Sequence, residues 1–320
     1  MEIYNEEDGF DTWGGPYGSV TYIQRYAEIL CGTYGRIRTF NSSIAIVMGG
    51  LAYDLFNDNQ GATNGTNRYF FTNLVPELQR QDPVNGCTDA VNFHHYRLLI
   101  SNWGNNGNIA SPVAGLRRTM CRTNPSYPAF CNLSTNQTKR LIQTEGGISS
   151  GTTSFYDYSS PSIQASFVAK SYSWALFQDV KEMSWWDFAD WNNTADYFSL
   201  HGLVTSTTNG SQPKLAYRAY YLAAAELGWP ATQARRSLSS VEFTAAGGEG
   251  YSFYRDYPND VSHGMVIAWN NTGGAVSVTL NPAANAVMDK YGSIVCQYCA
   301  PTISLPADGS PLYFFQINPW

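Results

Sequence analysis

The sequence predicts an α/β body followed by a small all-β part, and three observations carry that prediction. Apolar strand-like runs alternate with segments of helical periodicity five times between Glu2 and Leu227, the grammar that joins parallel strands by helical crossovers. From about Ser237 the pattern changes to short alternating runs separated by turn residues, with no helical spacing between them. Of the 320 residues, 43% are hydrophobic and 15% aromatic, enough to build a core in each part. The boundary falls within residues 229–236, which gives domains of 1–232 and 233–320.

Taken in order, Glu2 to Glu6 is an extended run that delivers a carboxylate at its end. Residues 8–18, rich in Gly, Pro and Asp, turn the chain, and residues 20–30 place apolar side chains at helical spacing. Residues 43–48 form the second buried strand, stopped by Gly49 and Gly50, and residues 69–78 the second amphipathic helix. Ala90 to Tyr96 reads as a third core strand, followed by a long Asn/Gly loop and a helix over about 112–121. Leu141 to Glu145 is an apolar run that ends in a carboxylate and a Gly pair, so Glu145 sits at the carboxyl end of a core strand. A helix over about 162–180 leads to an aromatic strand at 183–190, and the helix at 213–227 is stopped by Gly228 and Pro230. The alternating runs at 251–255, 265–269, 276–280 and 312–317 predict a small antiparallel β-sandwich.

Composition narrows the function classes. A net charge of -6 without any Lys/Arg cluster argues against nucleic acid or an anionic membrane as partner. No apolar run approaches the roughly 18 residues that span a bilayer. Charged residues make up only 14%, so Asn, Ser, Thr, Gly and Tyr must supply the polar surface, a profile common in secreted carbohydrate-active proteins. Sequons beginning at Asn41, Asn64, Asn132, Asn136, Asn192, Asn209 and Asn270 point the same way. Cys296 and Cys299 have the spacing of a redox dithiol or half a zinc site. No second such pair accompanies them, which favours a local disulfide or free thiols, and Cys121 with Cys131 could close a loop. No metal-ligand spacing is present, so neither metal nor cofactor is expected.

The order of the motifs now matters. Asn5-Glu6 ends one strand, His94 and Tyr96 end another two strands later, Thr144-Glu145-Gly146 ends the next, and Trp186 with Asp190 follows on the one after. This order over residues 1–228 resembles the large clan of retaining glycoside hydrolases built on (β/α)8 barrels, in which an Asn-Glu acid/base ends strand four and a nucleophilic Glu ends strand seven. A trailing β-sandwich is likewise similar to several families of that clan. The resemblance implies Glu145 as nucleophile and Glu6 as general acid and then base, the two carboxyl groups roughly 5–5.5 Å apart. It further implies that Asn5 binds the sugar 2-hydroxyl, Tyr96 donates to Glu145, His94 lines the subsite, and Trp186 forms an apolar platform under the cleaved sugar. His95 is expected to point away, and Glu7 and Asp8 to form a solvated rim without a role.

The mapping makes the first strand of this chain the fourth of the barrel. The expectation is therefore a partial (β/α)8 TIM-type barrel of about five βα units, strands four to eight, whose missing amino-terminal half lies elsewhere, so that the strands form an open arrangement. The leading function is hydrolysis of O-glycosidic bonds in a carbohydrate substrate. The alternative is a non-catalytic carbohydrate-binding protein that stacks sugars on its aromatic residues. Another type of α/β enzyme is disfavoured, because neither a Gly-rich phosphate loop nor a G-x-S-x-G elbow occurs.

Overall fold

The computed structural model describes residues 1–8, 20–52, 70–96, 108–123, 125–151, 159–191, 197–228, 233–254 and 264–316. The turn expected at 8–18 therefore lies outside the described residues except for its first one, and so do the Asn/Gly loop at 97–107 and the linker residues 229–232. The chain divides into two compact units: Met1–Gly146 with Val180–Trp185, and Gly147–Asp179 with Trp186–Trp320.

The first unit contains, in chain order, β1 (Glu2–Ile3), α1 (Val20–Phe40), β2 (Val47–Met48), α2 (Phe70–Gln81), β3 (Ala90–Tyr96) and α3 (Ala110–Met120). A short antiparallel hairpin, β4 (Cys131–Asn132) and β5 (Gln137–Thr138), precedes β6 (Arg140–Gly147) and β7 (Val180–Met183). These strands, without the hairpin, form a five-stranded sheet in the order β1-β2-β3-β6-β7, with β1/β2, β2/β3 and β6/β7 parallel. Among the described residues the sheet does not close into a ring. Every residue of the central strand β3 is buried.

Helix α1 shows how the sequence pattern becomes packing. Tyr22, Tyr26, Leu30 and Tyr34 recur every fourth residue and are all buried, forming one apolar stripe. The Tyr26 hydroxyl donates to the Ile3 carbonyl (3.2 Å) and accepts from the Gly49 N–H (2.8 Å), so the helix clamps the ends of β1 and β2 together. All six cysteines are paired, as Cys31–Cys87, Cys121–Cys131 and Cys296–Cys299. The Cys31–Cys87 bridge ties α1 to the turn before β3 across 56 residues. Its loop-closure entropy predicts that the Cys31→Ser/Cys87→Ser variant loses about 4 kcal/mol in urea unfolding. A loss below about 1 kcal/mol would show that the bridge does not constrain the unfolded chain.

One expected strand is displaced. Helix α4 (Pro161–Phe177) is followed by Asp179 in a left-handed turn (φ 54°), and the chain extends at once, so β7 is Val180–Met183 and pairs with Leu141–Gln143. The aromatic residues expected on a strand at 183–190 follow β7 instead. The sequence reading carried helix α4 too far, and the strand moved with it.

The second unit holds α4 (Pro161–Phe177), α5 (Leu215–Leu227) and the strands β8 (Gln233–Ser237), β9 (Gly248–Tyr254), β10 (Gly264–Asn270), β11 (Ser277–Thr279), β12 (Ala286–Asp289), β13 (Ile294–Gln297), β14 (Thr302–Ser304) and β15 (Leu312–Phe315). Six strands form an antiparallel sheet in the order β13-β12-β15-β10-β9-β8, and β11 pairs separately with β14. Alternation along β10 explains its complete burial beyond Gly264. Val266 and Ala268 join Val278, Leu280, Leu305 and Phe314 in one core, while Trp269 meets Trp174 of α4 edge to face at 5.7 Å. The Lys290 ammonium extends this junction, donating to Ser162 and Ser166 of α4 and to Ser310. Burial of that amine is offset by four oxygen acceptors, so α4 packs with the antiparallel sheet as one body.

Candidate active site

The carboxyl ends of β1, β3 and β6 bring four of the six candidate residues into view together. After Ile3 the chain leaves the sheet through two residues in the left-handed region, Tyr4 (φ 71°) and Glu6 (φ 55°). For a residue with a Cβ that conformation carries strain of order 1 kcal/mol or more, and such strain concentrates at functional sites. The turn is held by the Glu6 N–H, which donates to the Gly50 carbonyl (3.1 Å). Gly49 and Gly50 are required here by close approach. A Cβ on Gly50 would lie 1.9 Å from His94 Nε2, and one on Gly49 would lie 2.2 Å from a Glu7 carboxylate oxygen.

His94 is fully buried and occupies the centre of the cluster. Its Nδ1 is 2.9 Å from Glu6 Oε1 and 3.5 Å from Glu145 Oε2, while Nε2 is 3.3 Å from Thr144 Oγ1. The Tyr96 hydroxyl donates to Glu145 Oε2 at 2.5 Å. One oxygen of Glu6, one of Glu145 and a ring nitrogen of His94 all lie within 4.8 Å of one another. The Glu6 and Glu145 side chains are each 24% exposed, so both carboxylates reach solvent while their anchors remain buried. His94 and Tyr96 share a strand face because they are two residues apart.

Burial works against a charged His94. The hydrogen bond that Glu6 accepts and the charges of Glu145, Glu6 and Glu2 outweigh it and raise the imidazole above its ordinary value. What the arrangement can do is hold two carboxylates at short range, aim one with a phenol, and share a proton between a carboxyl and an imidazole.

A third carboxylate, which the sequence reading passed over, stands beside the pair. Glu2 Oε1 accepts from the Gly50 N–H (3.0 Å), Asn92 Nδ2 (2.7 Å) and Thr144 Oγ1 (3.5 Å). Its carboxyl is raised chiefly by burial, opposed by the Gly50 N–H, His94 and Thr144. A usable signal was present. Asn92, His94 and Tyr96 recur every second residue of a buried strand, a polar face that has to be satisfied by something.

Glu7 and Asp8 correct the expectation of a solvated rim. Glu7 is 2% exposed and Asp8 fully buried, because the left-handed turn at Glu6 carries the chain back under the sheet end. Asp8 Oδ1 accepts from the Ala52 N–H (2.9 Å), and the Tyr22 hydroxyl donates to the Glu7 carbonyl. Burial, helped by the neighbouring charges of Asp8, Glu2 and Glu6, pushes the Glu7 carboxyl up to about 9, so it stays protonated at neutral pH.

The remaining candidates are placed differently. Asn5 is exposed at the turn between Tyr4 and Glu6. His95 is buried in β3, whose alternation turns its side chain to the face opposite His94. Trp186 belongs to the second unit, where its ring meets Trp191, Phe198 and His201. Asp190 pairs there with Lys214 (2.7 Å) and accepts from the Gly202 N–H (2.9 Å).

No protein-family model and no curated protein sequence matches the chain. Among solved structures, the fold is similar to a family 51 α-L-arabinofuranosidase from Bifidobacterium longum, with a TM-score of 0.56 and 12% identity over 98% of this chain and 66% of that one. A family 86 β-porphyranase from Bacteroides plebeius gives 0.56 and 13% over 95% of this chain and 54% of that one. A family 44 endoglucanase from Clostridium thermocellum gives 0.58 and 11% over 98% and 65% respectively. The chain therefore spans between 54% and 66% of the length of these proteins. At such identities the likeness establishes a fold alone, the mixed α/β architecture with a parallel sheet that these three proteins share.

Proposed function

We propose that the protein is a retaining glycoside hydrolase acting on the O-glycosidic bonds of a poly- or oligosaccharide, with residues 1–232 as strands four to eight of a (β/α)8 barrel and residues 233–320 as a sandwich. The observation that carries this reading is the approach of a Glu6 oxygen and a Glu145 oxygen to within 4.8 Å, on two strand ends that His94 and Tyr96 hold together. That spacing suits direct attack on an anomeric carbon. Inverting enzymes separate their carboxyls by roughly 6.5–9.5 Å to admit a water.

In the first step Glu145 forms an ester bond to the anomeric carbon as the glycosidic C–O bond breaks, and Glu6 gives its proton to the departing oxygen. In the second, Glu6 takes a proton from water, the water oxygen attacks the same carbon, and Glu145 leaves as a carboxylate. Before attack, the Tyr96 hydroxyl aims Glu145 by donating to its Oε2. Asn5, exposed beside Glu6, would bind the sugar 2-hydroxyl. Three disulfides fit a secreted chain folded in an oxidising compartment.

The test follows the anomeric proton by NMR during hydrolysis of a panel of aryl glycosides and oligosaccharides. The first product is expected to keep the configuration of the substrate. Release of the opposite anomer would overturn double displacement. Saturable oligosaccharide binding without any turnover would support a carbohydrate-binding protein instead.

A further inference from the structure

The Glu2 network has no part in the two steps above, yet its donors and acceptors are ordered in one direction. Asn92 Oδ1 accepts from the Thr144 N–H (3.1 Å), which fixes the amide so that Nδ2 donates to both Glu2 Oε1 and Thr144 Oγ1 (each 2.7 Å). With one lone pair of Thr144 Oγ1 taken by Asn92, its other lone pair can accept from His94 Nε2–H and its proton can point to Glu2. The series runs from His94 through Thr144 to Glu2, and it leaves Nδ1 as the ring nitrogen that exchanges a proton with Glu6.

We propose that Glu2 is a positioning residue: acting through Thr144 and Asn92, it keeps the proton of His94 on Nε2, so that Nδ1 faces Glu6 and Glu145 and sets their shared proton. For its effect on rate the proposal rests on the hydrolase reading above. Its effect on His94 does not. The groups that face Glu2 and His94 are Glu6 and Glu7 after β1, the Gly50 N–H after β2, Asn92 and Tyr96 on β3, and Thr144 and Glu145 on β6. Glu7 is protonated through neutral pH and contributes no charge there.

The sign follows from charge. Glu2 is among the anions that raise His94, so neutralising it must lower the pH at which His94 loses its proton. In Glu2→Gln the amide oxygen can still accept from Gly50 and Asn92. The Thr144 hydroxyl, freed from the anion, can turn to donate to Nε2, which moves the neutral ring to its Nδ1–H tautomer.

The experiment records imidazole nitrogen shifts of His94 against pH in the parent, Glu2→Gln and Thr144→Val proteins, together with the kcat/KM profile on an aryl glycoside. In Glu2→Gln the His94 midpoint is expected to fall by roughly one pH unit and the alkaline limb to move with it, with a change of tautomer. Thr144→Val, which removes the bridge and leaves Glu2, is expected to lower the midpoint in the same direction. An unchanged midpoint and tautomer in either variant would overturn the proposal. Shifted nitrogens in a protein that turns over no glycoside would uphold the proton network and count against the hydrolase reading alone.

Discussion

Glu145→Gln is expected to lower kcat/KM on an aryl glycoside by roughly 10⁴-fold or more, because no covalent route remains once the attacking oxygen becomes an amide. The substitution preserves volume, and the Tyr96 hydroxyl, now 2.5 Å from a carboxylate oxygen, can still donate to the amide carbonyl. Folding should therefore survive, and circular dichroism with an unchanged unfolding midpoint would confirm it. A shorter replacement, Glu145→Ala, adds a stereochemical reading. It opens space for azide, which should restore turnover and give a glycosyl azide of inverted configuration. Parent-like rates in the Gln variant would remove the nucleophile assignment altogether.

Glu6→Gln carries the second large effect, and its size is expected to depend on the leaving group. Loss of a general acid costs about 10²- to 10⁴-fold where the departing oxygen needs a proton, as in an oligosaccharide. An activated phenol needs little help to leave, so with dinitrophenyl glycosides the first step should stay fast and the glycosyl-enzyme should accumulate. A burst of phenol equal to the enzyme present, followed by slow steady turnover, is the expected trace. The alkaline limb of the profile should also flatten, since an amide beside His94 Nδ1 cannot exchange a proton with it. Equal losses on good and poor leaving groups would place Glu6 in a structural role.

Much of the first unit was legible because its signals are local. The apolar run Leu141 to Ile142 before Glu145, the Gly pair after Met48 and the strand-like run Ala90 to Tyr96 mark strands, whatever else the chain does. The stripe of Tyr22, Tyr26 and Leu30 likewise marks the buried side of α1. The errors arose where a local rule met a backbone decision made elsewhere. Glu7 and Asp8 read as solvated because acidic residues in a run usually are, but a left-handed Glu6 and a waiting Ala52 N–H bury both. The aromatic stretch after Met183 read as a strand because Trp and Phe favour strands, while the pairing with Leu141–Gln143 had already been taken by Val180–Met183.

Sequence alone determined the alternation of strand and helix, the change to short antiparallel runs, and the places where carboxylates end strands, because each is written within ten or so consecutive residues. Tertiary structure decided which of those carboxylates meet. Glu6 and His94 are 88 residues apart, Glu2 and Asn92 are 90, and Glu2 and Thr144 are 142. Periodicity places a side chain on a face, but it does not say which strand lies next to it. That choice belongs to the sheet order β1-β2-β3-β6-β7, which sets the ends of β1, β3 and β6 side by side and so makes one cluster from three separate stretches of chain.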